Sequence, residues 1–354
     1  MHIDIEHLIR QAVNLGASDL YLLIGAPPTL RIAGYLTKLD YPPLLPEDTE
    51  KAVEFFAGRN SHSEAGALTH VSSRNEDDLS WDVAYEVPGA CRLRVHVSRE
   101  MGNYALTIRL IPLEVPRPED LNLPAILVDL CKRPGLLLIT GPTGSGKSTT
   151  LASLMRYLLE TKSVRLVSIE DPVEFKLDHF NGLVSQKEVG VDCISFHHGL
   201  IDALRESPDV IILGELRDPE AADAALLASE TGHLVISTMH TPSAIRAIDR
   251  FIDLFPAGRQ EFARSSLSRA LNGVFAQKLL PSKDRKRRVL AYEILVATPP
   301  VRNLIRKNEY HQIITTMEAG RRFGMVTMAN SIEELVRKGL VSREDVWDEV
   351  GSLE

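Results

Sequence analysis

Nine consecutive residues carry the clearest chemistry in the chain: Gly141, Pro142, Thr143, Gly144, Ser145, Gly146, Lys147, Ser148 and Thr149. They satisfy the spacing GxxxxGK[ST]. The glycines let successive backbone N–H groups turn inward on phosphate oxygens, and a following helix presents its positive dipole end to the same anion. Lys147 would neutralise the β- and γ-phosphates, and the Ser148 hydroxyl would ligate Mg²⁺. A glycine-rich turn alone would be weak, but here an apolar strand enters the loop and an amphipathic helix leaves it. The expectation is nucleotide binding through Thr143 to Thr149.

Hydrolysis also needs acids that hold metal and orient water. Two apolar runs end in them. Val167-Ser168-Ile169 leads into Glu170-Asp171-Pro172-Val173-Glu174, and Val210-Ile211-Ile212-Leu213 leads into Gly214-Glu215. A strand ending in an acid places it at the carboxyl edge of the sheet, beside the phosphates. Glu215 is the candidate base, in a Walker B-like site with glycine where aspartate is common. Glu170 or Asp171 would be a water-mediated Mg²⁺ partner; the plainer reading is that such acids cap the next helix, as Asp218 does. Histidines bracket a third apolar run, from His233 to His240. His240 falls at the expected catalytic edge, where it would contact the γ-phosphate. His233 falls at the other end, as a candidate nucleotide contact or as an ordinary surface histidine. Neither spacing makes a zinc site.

Elements must hold these groups in place. From residue 135 onward, short apolar runs at 136–139, 164–169, 210–213 and 234–237 alternate with helical patterns at 148–160, 196–205 and 219–230. That is the signature of a parallel sheet covered on both faces. Further helices are expected at 301–307 and 331–338, and from a Ser342 cap to residue 350. Before residue 111 the pattern differs. A helix capped by Asp4 and stopped by Gly16 precedes strands at 19–24 and 29–36, a helix at 46–56, a polar loop at 61–78, and strands at 81–87, 91–97 and 104–110. This is a small α+β domain. Pro112, Pro116, Pro118 and Pro124 punctuate the stretch between the two regions, giving a semi-rigid linker. The expected organisation is an α+β domain over 1–110, a linker over 111–123 and an α/β domain over 124–354, whose tail from about 299 is helical. No internal repeat is present.

Composition narrows the partners. Lys plus Arg total 40 against 48 Asp plus Glu, a net charge of −8. Such acidity argues against a nucleic-acid coat or a basic membrane-surface protein. The basic run 283–288 reads as a solvated hairpin tip. No apolar run approaches a membrane span, and residues 1–6 are charged rather than signal-like. Three scattered cysteines (Cys91, Cys131, Cys193) build neither a disulfide framework nor a four-cysteine zinc site, which fits a reducing cytosol. In the first domain, residues 91–97 alternate: Leu93, Val95 and Val97 face one way, Arg92, Arg94 and His96 the other. Spacing alone leaves that polar face either merely solvated or reaching into a neighbouring subunit's nucleotide.

Together these motifs resemble the secretion-type ATPases, and most closely the type IV pilus retraction (PilT-like) family, over nearly the whole chain. The shared features are the loop 141–149, the "Asp box" 170–175, the stretch 203–218, the "His box" 232–244, residues 301–306 beside the family's AIRNLIRE element, and Gly324-Met325-Val326-Thr327-Met328. The resemblance implies a cytoplasmic homohexameric ring, each subunit a PAS-like domain joined to a RecA-like P-loop domain. ATP with Mg²⁺ would be hydrolysed there to drive pilus disassembly through an inner-membrane platform protein, with paralogous pilus ATPases as possible partners and no membrane insertion. Glu215 matches the catalytic glutamate. Arg92, Arg94 and Arg109 match arginines that act in trans or between domains. The absent zinc site favours the retraction branch over extension and type II secretion relatives. Departures in the tail, such as Pro300-Val301 for Ala-Ile and Lys307 for an acid, leave an accessory retraction paralogue or a conjugation/type IVB-type motor as alternatives.

Overall fold

A computed structural model of the chain describes residues 4–57, 68–71 and 79–346. It divides into two compact units, Met1–Glu114 with Asp284–Arg288, and Val115–Lys283 with Val289–Glu354.

The first unit contains α1 (Ile5–Asn14), β1 (Ala17–Leu22), β2 (Thr29–Ile32), β3 (Tyr35–Lys38), α2 (Pro46–Ala57), β4 (Leu68–Val71), β5 (Trp81–Val87), β6 (Cys91–Glu100) and β7 (Asn103–Pro112). Its seven strands form one sheet in the order β3-β2-β1-β7-β6-β5-β4, with antiparallel neighbours. The Asp4 carboxylate accepts from the His7 N–H at 3.1 Å and so caps α1. Leu8, Ile9 and Ala12 from that helix meet Leu93, Val95 and Ile108 of the sheet in one core. The strand expected over 29–36 is instead a hairpin. Ala33 (φ 51°) and Gly34 (φ 93°) turn the chain between β2 and β3, a two-residue turn that a period-two count runs straight through. Part of the expected loop at 61–78 is strand β4; the rest of it lies outside the described residues.

The second unit contains α3 (Ala125–Leu130), β8 (Gly135–Thr140), α4 (Lys147–Thr161), β9 (Arg165–Glu170), β10 (Leu183–Glu188), α5 (Phe196–Ala203), β11 (Val210–Leu213), α6 (Pro219–Glu230), β12 (Leu234–Met239), α7 (Ala244–Asp253), α8 (Gln260–Ala270), β13 (Leu271–Pro281), β14 (Arg288–Val296), α9 (Pro299–Lys307), α10 (Ile313–Ala319) and α11 (Met328–Arg337). The sheet order is β10-β9-β11-β12-β8-β13-β14, and the pairs from β10 across to β13 are parallel. Every residue of β8, β11 and β12 is buried, as a sheet covered on both faces requires. The parallel direction puts the carboxyl ends of β9, β11, β12 and β8 at one edge, and this positions the site.

Several tail and connecting elements depart from the pattern. Helices α7 and α8 and strand β10 escape it; β10 reads Leu183-Val184-Ser185-Gln186-Lys187-Glu188, too polar for an apolar-run criterion. Helix α11 starts at Met328, three residues earlier than its apolar spacing suggests, because Thr327 accepts from the Asn330 N–H and caps it there. Ser342 accepts from the Asp345 N–H at 3.2 Å, the cap expected of it. A short 3₁₀ turn at Glu344–Val346 follows, and the remainder of that helix lies outside the described residues. The proline-punctuated stretch from Val115 is tied to α4: Arg156 donates to the Val115 carbonyl, and Arg117 meets Glu160 at 3.4 Å. Among the described residues no helix is long and apolar enough to cross a membrane.

Candidate functional site

The loop leaving β8 is shaped by close approaches. A side chain on Gly141 would come within 2.3 Å of the Gln277 carbonyl oxygen and 2.6 Å of Ser145 Oγ, so only glycine fits. Gly146, at φ 88°, is the N-cap of α4 and offers no side-chain cap. The first amides of α4, at Lys147, Ser148 and Thr149, are therefore left for an anion. Gln277 of β13 donates from Nε2 to the Ser145 carbonyl at 2.6 Å and fixes the loop from behind. Thr143, Gly144 and Ser148 are exposed, Thr149 is half-buried and Ser145 is buried.

Lys147 is buried, at 8% exposure. Its ammonium donates to the Gly141 carbonyl at 2.8 Å and the Pro142 carbonyl at 3.1 Å, and lies 3.4 Å from His240 Nδ1. Burial depresses its pKa, against the opposing charges of Glu215 and Glu174. An ammonium held on carbonyls is short of negative charge, and a phosphate would supply it.

His240 links Lys147 to the candidate base. Its Nε2 lies 3.4 Å from Glu215 Oε2, which also meets Arg217 at 2.7 Å. An ammonium can only donate, so the His240 Nδ1 facing it is the acceptor and Nε2–H points to Glu215. Strands β8, β12 and β11 bring this row together from positions up to 93 residues apart in sequence (147 to 240). Their ends are strapped to one another. Thr140 Oγ1, the last side chain of β8, accepts from the Thr241 N–H at 3.0 Å and lies 3.1 Å from the Met239 carbonyl, bracketing His240. Ser237 donates to the Leu213 carbonyl at 2.9 Å, and the Leu216 N–H donates to the Thr238 carbonyl at 3.1 Å, bracketing Glu215. A Cβ on Gly214 would sit 3.3 Å from the Glu170 Cα, which accounts for glycine where aspartate is common.

Glu170 ends β9 beside this row but turns inward. Its Oε1 accepts from Ser168 Oγ at 2.7 Å and Gln186 Nε2 at 3.2 Å. Burial pushes its pKa from 4.5 up to about 7, against those two hydrogen bonds. Asp171 is exposed. The loop after it is pinned to β10, where Glu188 accepts from the Val173 N–H and Gln186 from the Leu177 N–H. For Mg²⁺, the exposed Ser148 hydroxyl and nearby carboxylates are the right hard-oxygen donors. Among the described residues no group of three or more acids, histidines or cysteines forms a cage for an ion.

His233 is not brought to this edge. It precedes β12, seven residues and ~23 Å from His240 along an extended strand. Its Nδ1 lies 3.0 Å from the Ala228 carbonyl and 3.2 Å from Thr231 Oγ1, closing the C-terminal turn of α6. In the first unit, Arg94 and Arg109 stand directly opposite each other on β6 and β7, and Asp19 stands opposite Arg109 on β1. Asp19 is shared by Arg109 at 3.7 Å and Arg31 at 3.8 Å. Arg92 lies opposite Glu86 on β5. The pleat thus gathers Arg94 and Arg109, from separate motifs, on one basic face.

Sequence reasoning missed Thr140, Gln186 and Gln277 as parts of the site. Each is a polar side chain on a strand, and Thr140 and Gln277 interrupt otherwise apolar runs. That interruption is the signal that could have found those two.

The family model for type II/IV secretion system proteins matches residues 95–350. The chain belongs to that family. It is 40% identical over 349 residues to the type IV pilus retraction ATPase PilT of Pseudomonas aeruginosa, covering 97% of this chain and 96% of that protein. It is 35% identical over 345 residues to the type IV pilus ATPase PilU of the same organism, covering 97% and 87%. A crystal structure of the pilus retraction motor PilT with bound ADP superimposes with a TM-score of 0.80 at 41% identity, covering 98% of this chain and 97% of that one. The resemblance drawn from the motifs is thereby borne out, as is its α/β fold class.

Proposed function

We propose that the chain is an ATP-hydrolysing motor that drives retraction of type IV pili, working at the cytoplasmic side of the inner membrane as a ring of six copies on a membrane platform protein. The observation that carries this reading is the row Lys147–His240–Glu215 at one edge of the parallel sheet, directly beside a phosphate loop that only glycine can build. In this reading the loop amides and Lys147 hold the β- and γ-phosphates. Lys147 exchanges its two carbonyl partners for phosphate oxygens. Glu215 orients the attacking water, and His240 holds Glu215 and the lysine in register. Ser148, with Glu170 or Asp171 behind water, would hold Mg²⁺, which would supply positive charge to the phosphate oxygens. Arg92, Arg94 and Arg109 supply charge to the transition state from the first unit or from a neighbouring subunit. The relatives described as retraction ATPases, at 40% identity over almost their full length, support the cellular role.

The similarity to PilU supports a second reading, an accessory motor in the same retraction machine. A deletion strain tests the cellular role. Hyperpiliated, non-retracting cells support the main motor, and weakened retraction under load supports the accessory one. Normal pili with normal retraction contradict both. At the bench, purified rings should hydrolyse Mg·ATP, and Lys147→Ala should abolish both binding and turnover.

A further inference from the structure

Glu293 is a carboxylate in the middle of β14, and it is buried at 9% exposure. Among the described residues its hydrogen-bond partners are two backbone amides. Its Oε1 accepts from the Ala244 N–H at 2.7 Å, and its Oε2 accepts from the Met328 N–H at 3.4 Å. Ala244 and Met328 are the first residues of α7 and α11, each ten residues long. Two helix N-termini therefore converge on one side chain; burial, the larger effect, raises its pKa above 4.5, and the two amides oppose that rise.

The two helices are otherwise capped. Ser243 accepts from Arg246 and Thr327 accepts from Asn330. Glu293 takes the first amide of each. Next to it, Ile294 and Val326 exchange backbone hydrogen bonds at 2.9 and 3.2 Å, and Ser331 accepts from the Tyr292 N–H at 3.0 Å. The segment 324–331 is thereby sealed along β14.

The other end of this connection is the catalytic row. Residues 240–244 form a five-residue span clamped at Thr241 by Thr140 and at Ala244 by Glu293. His240 begins that span. Thr140 immediately precedes the phosphate loop.

We propose that Glu293 is a positioning residue for His240: by holding the first amides of α7 and α11 it fixes the far end of the 240–244 span and ties the imidazole's place to the C-terminal helices. This rests on the hydrolytic reading given above. It assigns Glu293 no contact with nucleotide. It also gives the signature Gly324–Met328 a role, as the tail's attachment to the site.

The test uses the full chain in its assembled form. Glu293→Gln replaces one acceptor by an amide that must face an N–H. Turnover at saturating Mg·ATP should fall about 5–50-fold with KM within about 3-fold. In a His240→Ala background the same change should cost less than about 2-fold, because the imidazole it positions is gone. Amide exchange in 240–244 and at Met328 should quicken in Glu293→Gln. Ala244→Pro is a second route: proline suits a first helical position after the extended Ser243 (φ −144°, ψ 165°), and it deletes the same hydrogen bond while Glu293 is kept. Equal losses in the wild-type and His240→Ala backgrounds, or unchanged exchange in 240–244, would overturn the proposal. So would failure of both variants to fold, which would make Glu293 purely structural. If the wild-type chain binds and hydrolyses no ATP, the hydrolytic reading fails, while the exchange measurement still decides whether Glu293 holds the span.

Discussion

Both units are built on seven-stranded sheets, but they expose their chemistry differently. In the second unit the central strands are buried on both faces, so function gathers at the ends: Thr140, Glu170, Glu215 and His240 follow or terminate apolar runs at one edge. In the first unit the antiparallel strands bury one face and turn the other outward, so charge gathers across neighbouring strands, as with Arg31, Asp19, Arg109 and Arg94. An edge site is bonded internally before any ligand arrives. On the face, two arginines stand opposite each other and one carboxylate is shared between Arg31 and Arg109.

A large effect should come from that face. Arg94→Ala or Arg92→Ala in the assembled ring should lower turnover by about 10³-fold or more while nucleotide affinity is retained, if the arginine acts on the transition state. A steady-state assay with a parallel binding titration measures both. Turnover within a few-fold of wild type would return the row to ordinary surface.

The two ends of β12 offer a sharper contrast. His240→Ala removes the link between Lys147 and Glu215 and should slow turnover about 10–100-fold, as loss of a hydrogen bond to a charged group does. His233→Ala should leave turnover within about 2-fold and lower stability by about 1 kcal/mol, since the ring only closes the α6 turn. The reverse ranking would mean that the nucleotide lies elsewhere.

A pH effect belongs to Glu170. Its pKa rises from 4.5 to about 7 on folding, so between those values the folded chain holds a proton the unfolded chain has released. This contribution to stability is therefore fully present below about 4.5 and is lost as pH rises to about 7. Glu170→Gln should flatten that slope and make the chain relatively more stable at pH 8, as read by chemical denaturation at pH 5 and pH 8. An unchanged slope would locate the carboxylate in water rather than against Ser168 and Gln186. Gly146→Ala should cost about 1–2 kcal/mol from the left-handed backbone, and its Cβ would also crowd Gln277 Nε2 at 3.3 Å.

Much of the edge site was legible because an apolar run in a parallel sheet tells where its last residue points. Glu215 and His240 follow from that rule and Lys147 from the GxxxxGK[ST] spacing, and the structure brings all three together. The inward turn of Glu170 was not legible, because it depends on Gln186 of β10, a strand whose polar composition hides it. The 29–36 hairpin was lost for a related reason: Ala33-Gly34 gives no stronger turn signal than many sequences that stay extended. The pairing of Arg94 with Arg109 needs the β6–β7 register, which alternation within a single strand cannot supply.

The central claim is that Glu215 acts on a nucleotide held by the Lys147 loop. Single-turnover hydrolysis of Mg·ATP by Glu215→Gln, with its Kd measured by calorimetry, tests it most directly. The account predicts a Kd within about 3-fold of wild type and hydrolysis slowed about 10²–10⁴-fold, the range for removal of a general base. Hydrolysis at the wild-type rate, or a wild-type chain that releases no heat with Mg·ATP, would contradict it.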